Sequence, residues 1–182
     1  MNYKARVLAV LVAATATSAA MASDGTINFN GELKAETCQI AVNGAAGSAG
    51  STVTLPTIST SQLTALGQVA AQTGFVIQLS KCSAALKTAS AFFESGGSVD
   101  PASGNLKNLT GTATQTQLQL VDATNGQPIK AGDTSQVAST SRINIDSTTL
   151  SAELPYAVQY YAQAATTPGT VISNVTYSIN YQ

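Results

Sequence analysis

Gly74-Phe75-Val76-Ile77-Gln78-Leu79-Ser80-Lys81-Cys82 is the stretch on which the fold turns. In an extended chain successive side chains point to opposite faces, so Phe75, Ile77 and Leu79 share one apolar face that leads into a cysteine. The same period of two returns at Leu118 and Leu120. Further short runs follow at Arg142 to Ile145, Tyr156 to Ala162 and Val175 to Tyr181, separated by clusters of Gly, Ser, Asn, Asp and Pro. That spacing predicts an all-β sandwich or barrel. Asn125-Gly126, between Leu118 to Val121 and Ile129, predicts a hairpin with a tight turn. Asn43-Gly44 opens a small-residue stretch, Ala45 to Ser51, that reads as a loop, as does Gly96 to Gly104. Helical spacing occurs only at Leu63, Leu66 and Val69 within Thr60 to Ala71, where Gly67 interrupts it, so no more than a turn or short helix is expected there.

Towards the N-terminus, Lys4 and Arg6 precede an apolar run from Val7 to Ala14, and Ala20-Met21-Ala22 places small residues where a signal peptidase cuts. Residues 1–22 are therefore read as an export signal cleaved after Ala22. The apolar run is shorter than the roughly 20 residues that span a bilayer. Cleavage leaves 160 of the 182 residues, a length that suits one domain. It also takes Lys4 and Arg6 and no acid, moving the net charge from −1 to −3, which argues against nucleic acid as a partner. Only 9% of residues are charged, so Thr, Ser, Gln, Asn and Gly must cover the surface. Cys38 and Cys82 are an even pair in an exported chain and read as a disulfide. Closing that loop stabilises the fold by roughly 4 kcal/mol in the chain-entropy account.

The chain contains no His, which removes the commonest general base, and two distant thiols do not make a zinc site. Glu94, Asp100, Asp122, Asp146 and Glu153 are scattered, with neither the spacing of a Ca²⁺ loop nor a recognisable catalytic pair. No glycine-rich phosphate loop follows a strand and opens a helix. Asn108-Leu109-Thr110 and Asn174-Val175-Thr176 match the glycosylation sequon and read as chance matches. The expectation is a protein that is not an enzyme and uses no cofactor or metal.

Two terminal segments stand out. In Thr26-Ile27-Asn28-Phe29-Asn30-Gly31-Glu32-Leu33-Lys34-Ala35, one extended face carries Ile27, Phe29, Gly31, Leu33 and Ala35. A glycine in phase on a buried face marks either a kink in an ordinary first strand or a place where another chain comes close. At the other end Val175, Tyr177, Ile179 and Tyr181 alternate with Thr176, Ser178 and Asn180, a strand of strongly specified register.

Taken together, Thr26 to Leu33 followed by Cys38, Gly74 to Cys82, Leu154-Pro155-Tyr156-Ala157-Val158-Gln159-Tyr160-Tyr161-Ala162, Thr167-Pro168-Gly169 and Tyr177 to Gln182 resemble a chaperone-usher fimbrial subunit of the type 1 pilin family. Ala102 to Asp146 matches only in character, and Glu36-Thr37 stands where relatives often carry small residues or proline. The resemblance implies an incomplete immunoglobulin-like β-sandwich, residues 36–182, lacking its last strand, with a donor-strand extension at residues 23–35. It further implies that Ile27, Phe29, Gly31 and Leu33 fill a neighbouring copy's groove. Val175, Tyr177, Ile179 and Tyr181 would form a chaperone-recognition strand. The implied partners are other copies and other pilus subunits, a periplasmic chaperone and an outer-membrane usher. The function so implied is a structural subunit, exported through the periplasm, of a surface fimbria used in adhesion; a minor adaptor or receptor-binding subunit is the alternative. The absence of Trp and the low aromatic content, 5%, argue against a sugar-stacking platform.

Overall fold

The computed structural model describes residues 38–46 and 51–182. The export signal and the Thr26 to Ala35 segment, with Ile27, Phe29, Gly31 and Leu33, lie outside the described residues. Ten strands are described: β1 (Gln39–Val42), β2 (Ala45–Ala46), β3 (Val69–Ser80), β4 (Thr88–Phe93), β5 (Leu106–Lys107), β6 (Thr116–Asp122), β7 (Pro128–Ile129), β8 (Ile143–Asn144), β9 (Ala152–Ala162) and β10 (Tyr177–Tyr181). A 3₁₀ turn at Thr60–Gln62 and one short helix, α1 (Gln136–Ser139), complete the elements.

The strands form two antiparallel sheets. The larger runs β2-β1-β3-β9-β6-β5 with β7 also on β6, and the smaller runs β10-β4-β8. The alternation predicted at Phe75, Ile77 and Leu79 is observed: Ile77 and Leu79 are buried in the core with Leu118, Leu120, Leu154 and Phe93, and Phe75 is half-buried against it. Cys38 and Cys82 form the disulfide, which ties the start of β1 to the end of β3.

Two local expectations need correction, the tight turn at Asn125-Gly126 and the loop opening at Asn43-Gly44. The tight turn belongs to Asn43-Gly44, not Asn125-Gly126. Val42 pairs with Ala45, and both turn residues have positive φ, 48° and 81°, as a two-residue type I′ turn requires. Asn125-Gly126 does turn a hairpin between β6 and β7, but over four residues closed by Asp122 N–H on Gln127 O. There the Asp122 and Asn125 carboxyl and amide oxygens accept from Thr124 and Gln127 N–H, and these local bonds stabilise the wider turn. The expectation of no more than a turn or short helix in Thr60 to Ala71 is met: the segment holds one 3₁₀ turn, and Val69 already starts β3. Leu63 is 4% exposed but Leu66 is 72% exposed, so the spacing never formed one apolar face. Gln68 Oε1 accepts from Thr64 and Ala65 N–H and holds a turn in place of a second helical turn.

Candidate functional site

An apolar groove of about 920 Å³ opens between the two sheets. One wall is β1, through Cys38, Ile40 and Val42, continued by Val53 and Leu55. The opposite wall is Ser173 to Tyr177, leading into β10. Phe75, Ile77, Phe93, Leu118 and Val158 line its floor. Aromatic rings meet at and beneath the floor: Phe93 and Tyr156 stand edge to face at 5.1 Å, and Phe75 lies 5.9 Å from Tyr156. Tyr181 closes one end by accepting the Cys38 N–H on its hydroxyl at 3.4 Å.

Both walls are extended and alternate, each burying one face. Val53 and Leu55 are half-buried between exposed Thr52 and Thr54. Val171, Ser173, Val175, Tyr177 and Ile179 are half-buried, alternating with exposed Ile172, Asn174, Thr176 and Ser178. Val175, Tyr177, Ile179 and Tyr181 thus point inward and pack against the core rather than outward. The ladder itself covers only Tyr177 to Tyr181, with Val175 and Thr176 ahead of it.

Main-chain accounting separates this groove from the rest of the molecule. Among the described residues, no hydrogen bond engages the N–H or C=O of Ser173, Asn174 or Val175, nor those of Thr52 to Leu55. Among the described strands β10 lies at an edge of its sheet. In its antiparallel pairing with β4, Tyr177 and Ile179 lie opposite Phe93 and Ala91, whose N–H groups point the other way, so Tyr177 and Ile179 direct their main-chain groups at the groove.

β4's far edge is treated differently. Beyond β8, which covers Ala89, the Ala91 N–H donates to the Tyr156 hydroxyl at 2.8 Å. The Phe93 N–H donates to Gln136 Oε1 at 2.9 Å, and Gln136 Nε2 returns a bond to Phe93 O at 2.9 Å. Two buried side chains therefore act as the missing neighbour strand. Burial pushes the Tyr156 phenol up to about 12. On the outer face of the small sheet Arg142 ties β4 to β10, donating to Thr88 Oγ1, Ser90 Oγ and the Asn180 carbonyl. None of Gln136, Tyr156 or Arg142 was singled out from the sequence, because their roles depend on partners 38 to 65 positions away.

The scattered carboxylates serve local structure. The Gln117 amide, the Ala102 N–H and the Ser103 hydroxyl hold Asp100 below the ordinary carboxylate range. Backbone N–H groups of Thr149 and Thr148 do the same for Asp146. Asp122 is buried and accepts from Ser141 N–H at 2.6 Å. Asn108 spends its amide on Gly111, Ala113, Thr170 and Ile172, pinning two loops together. Among the described residues no three acidic or thiol groups are placed to hold a metal.

The sequence model of the type-1 fimbrial protein A family, FimA, matches residues 55–182. The chain is 43% identical to the major fimbrial subunit SMF-1 of Stenotrophomonas maltophilia (strain K279a), covering 92% of this chain and 98% of that one. It is 35% identical to the F17 fimbrial protein of Escherichia coli, covering 94% and 95%. The crystal structure of the P pilus rod subunit PapA shares the fold, with a TM-score of 0.56 at 18% identity over 79% of this chain and 99% of that chain. On the family match and the identity to SMF-1, this immunoglobulin-like β protein belongs to the type-1 fimbrial protein family, the structural subunits of pili.

Proposed function

We propose that this pilus subunit polymerises by donor-strand exchange, its groove taking the Thr26 to Ala35 segment of the next copy. The observation that carries the reading is the pair of bare walls. The fold satisfies β4's far edge with buried side chains, yet among the described residues Thr52 to Leu55 and Ser173 to Val175 have no main-chain partners around an apolar floor. Such edges pair with any available strand, so a subunit built this way needs an occupant. An extended peptide added to a sheet edge gains affinity from the main chain and specificity from alternate side chains, and strand donation among pilins is a recognised instance of that mode. Ile27, Phe29 and Leu33 would enter the groove, each stabilising by roughly 1.5 to 3 kcal/mol on burial. Gly31 would pass where the groove is shallow.

Before assembly a periplasmic chaperone would cover the same walls, pairing with the open edge of β10 and packing against Val175, Tyr177, Ile179 and Tyr181. An outer-membrane usher would then pass the subunit to the growing fibre after removal of residues 1–22. The expected outcome is that Gly31→Trp blocks fibre growth while the chaperone-bound subunit is recovered at wild-type yield. Deleting Ser23 to Gly31 gives a subunit that accepts a strand and cannot donate one, so it caps growth. Electron microscopy of fibres measures both, and normal fibres from either variant would refute the exchange. Immunolabelling along the fibre, as against the tip alone, separates a shaft subunit from a minor adaptor.

A further inference from the structure

Both walls of the groove lead to one pole of the sandwich. Beyond Leu55 the first wall continues to Leu63, whose carbonyl accepts the Thr166 N–H at 3.0 Å, and the second follows directly on Ile172. Ile172 is tied to the 108–113 loop: Leu109 N–H donates to Ile172 O at 2.8 Å, and Ala113 N–H donates to Thr170 O at 3.0 Å. The segments that build this pole are uncharged, since no Asp, Glu, Lys or Arg occurs in residues 51–80, 108–121 or 154–182. The pole also exposes apolar surface. Leu109 is 44% and Ile172 52% exposed, and the two are neighbours across one backbone bond. Single exposed apolar residues are ordinary, but an adjoining pair on an uncharged end marks an interaction surface.

The place of this pole at the end of the groove identifies its occupant. All ladders described in this molecule are antiparallel, and a strand that continues the pattern beside β10 runs from the closed Tyr181 end towards Ser173. Thr26 to Ala35 counts ten residues, as does Ser173 to Gln182, so a segment of that length laid along the wall ends at the pole. Only Glu36 and Thr37 separate Ala35 from Cys38, which the disulfide fastens to the incoming copy's own sandwich. That stretch reaches at most about 11 Å even when fully extended. The body of the incoming copy is therefore held against the end at which its strand leaves the groove. Beside its disulfide that body presents Ala84 and Ala85, both exposed and uncharged.

Resting on the donor-strand reading, we infer that the pole carrying Leu109 and Ile172 is a second contact between successive copies, seating the Cys38 end of the copy whose strand fills the groove. The contact is head-to-tail, one copy's pole against the opposite end of the next, so it repeats at every junction of the fibre. The strand holds the next copy, and the pole orients it.

The test uses fibres assembled from the full chain, read as their rate of dissociation in guanidinium. Leu109→Asn and Ile172→Thr replace exposed apolar groups by polar ones of similar shape, so the subunit folds as before. Together they make fibres dissociate roughly tenfold faster, because apolar surface is no longer covered at each junction. Val137→Thr, at a comparably exposed residue of α1 beside the far edge of β4, leaves the rate at its wild-type value. A synthetic peptide of residues 23–35, bound by the Ser23 to Gly31 deletion, carries no body behind it, so adding Leu109→Asn and Ile172→Thr to that subunit leaves peptide release unchanged. Wild-type dissociation of the double-variant fibres would overturn the inference while leaving strand exchange intact. Faster peptide release would overturn it too, by making the pole part of the groove, as would an equal effect of Val137→Thr. Failure of the deletion subunit, without these substitutions, to take up the peptide would remove strand exchange and the inference together.

Discussion

Tyr156 couples the two sheets through one bond, its hydroxyl accepting the Ala91 N–H in the core at 2.8 Å. Tyr156→Phe keeps the ring packing against Phe93 and Phe75 but leaves a buried N–H without a partner, which costs about 1 to 3 kcal/mol. Denaturant titration at neutral pH measures that loss. Burial raises the folded phenol from 10.0 to about 12. A raised pKa contributes stability in full below the unfolded value, and that contribution is lost as pH rises from about 10 through about 12. Tyr156→Phe should therefore lie closest to wild type at the alkaline end, and an unchanged gap across that window would contradict the burial account.

At the scale of elements, β4 owes its far edge to a residue of a four-residue helix. Gln136 presents both an acceptor and a donor to Phe93, and Gly132 N–H adds a second bond to the Phe93 carbonyl at 2.8 Å. Gln136→Leu fills the same space but leaves the Phe93 N–H unpaired, so a loss of about 2 to 3 kcal/mol is expected. Amide exchange at Phe93 should accelerate well beyond that at Ala89, which β8 still covers. Equal acceleration at both would mean that the helix merely packs and does not substitute for a strand. The same element explains why sequence patterning was only partly legible. Long strands such as β3 and β9 announce themselves by alternation, whereas Gln136 sits in a polar run whose periodicity carries no signal. Likewise Asn-Gly at 125–126 read as a tight turn and Asn-Gly at 43–44 as the start of a loop, and the flanking strands decided the reverse.

For the whole molecule, the Cys38 to Cys82 bond holds β1, and with it one wall of the groove, against β3. Replacing both cysteines by alanine should cost roughly 4 kcal/mol, since the closed loop spans 44 residues. Unfolding of the variant measures that loss, and its fibres should assemble more slowly because the wall carrying Ile40 and Val42 is no longer fastened. A variant as stable as wild type would show that the ladder to β3 suffices. Residue order alone was enough for the β class, the disulfide, the inward phase of Phe75 to Leu79 and of Val175 to Tyr181, and membership of the pilin family. These follow from period two, from cysteine count and from short motifs, all of them local properties. Which edges are closed and which stay bare emerges only once the chain has folded. Whether an N–H finds Tyr156, Gln136 or nothing depends on chain segments brought together from far apart.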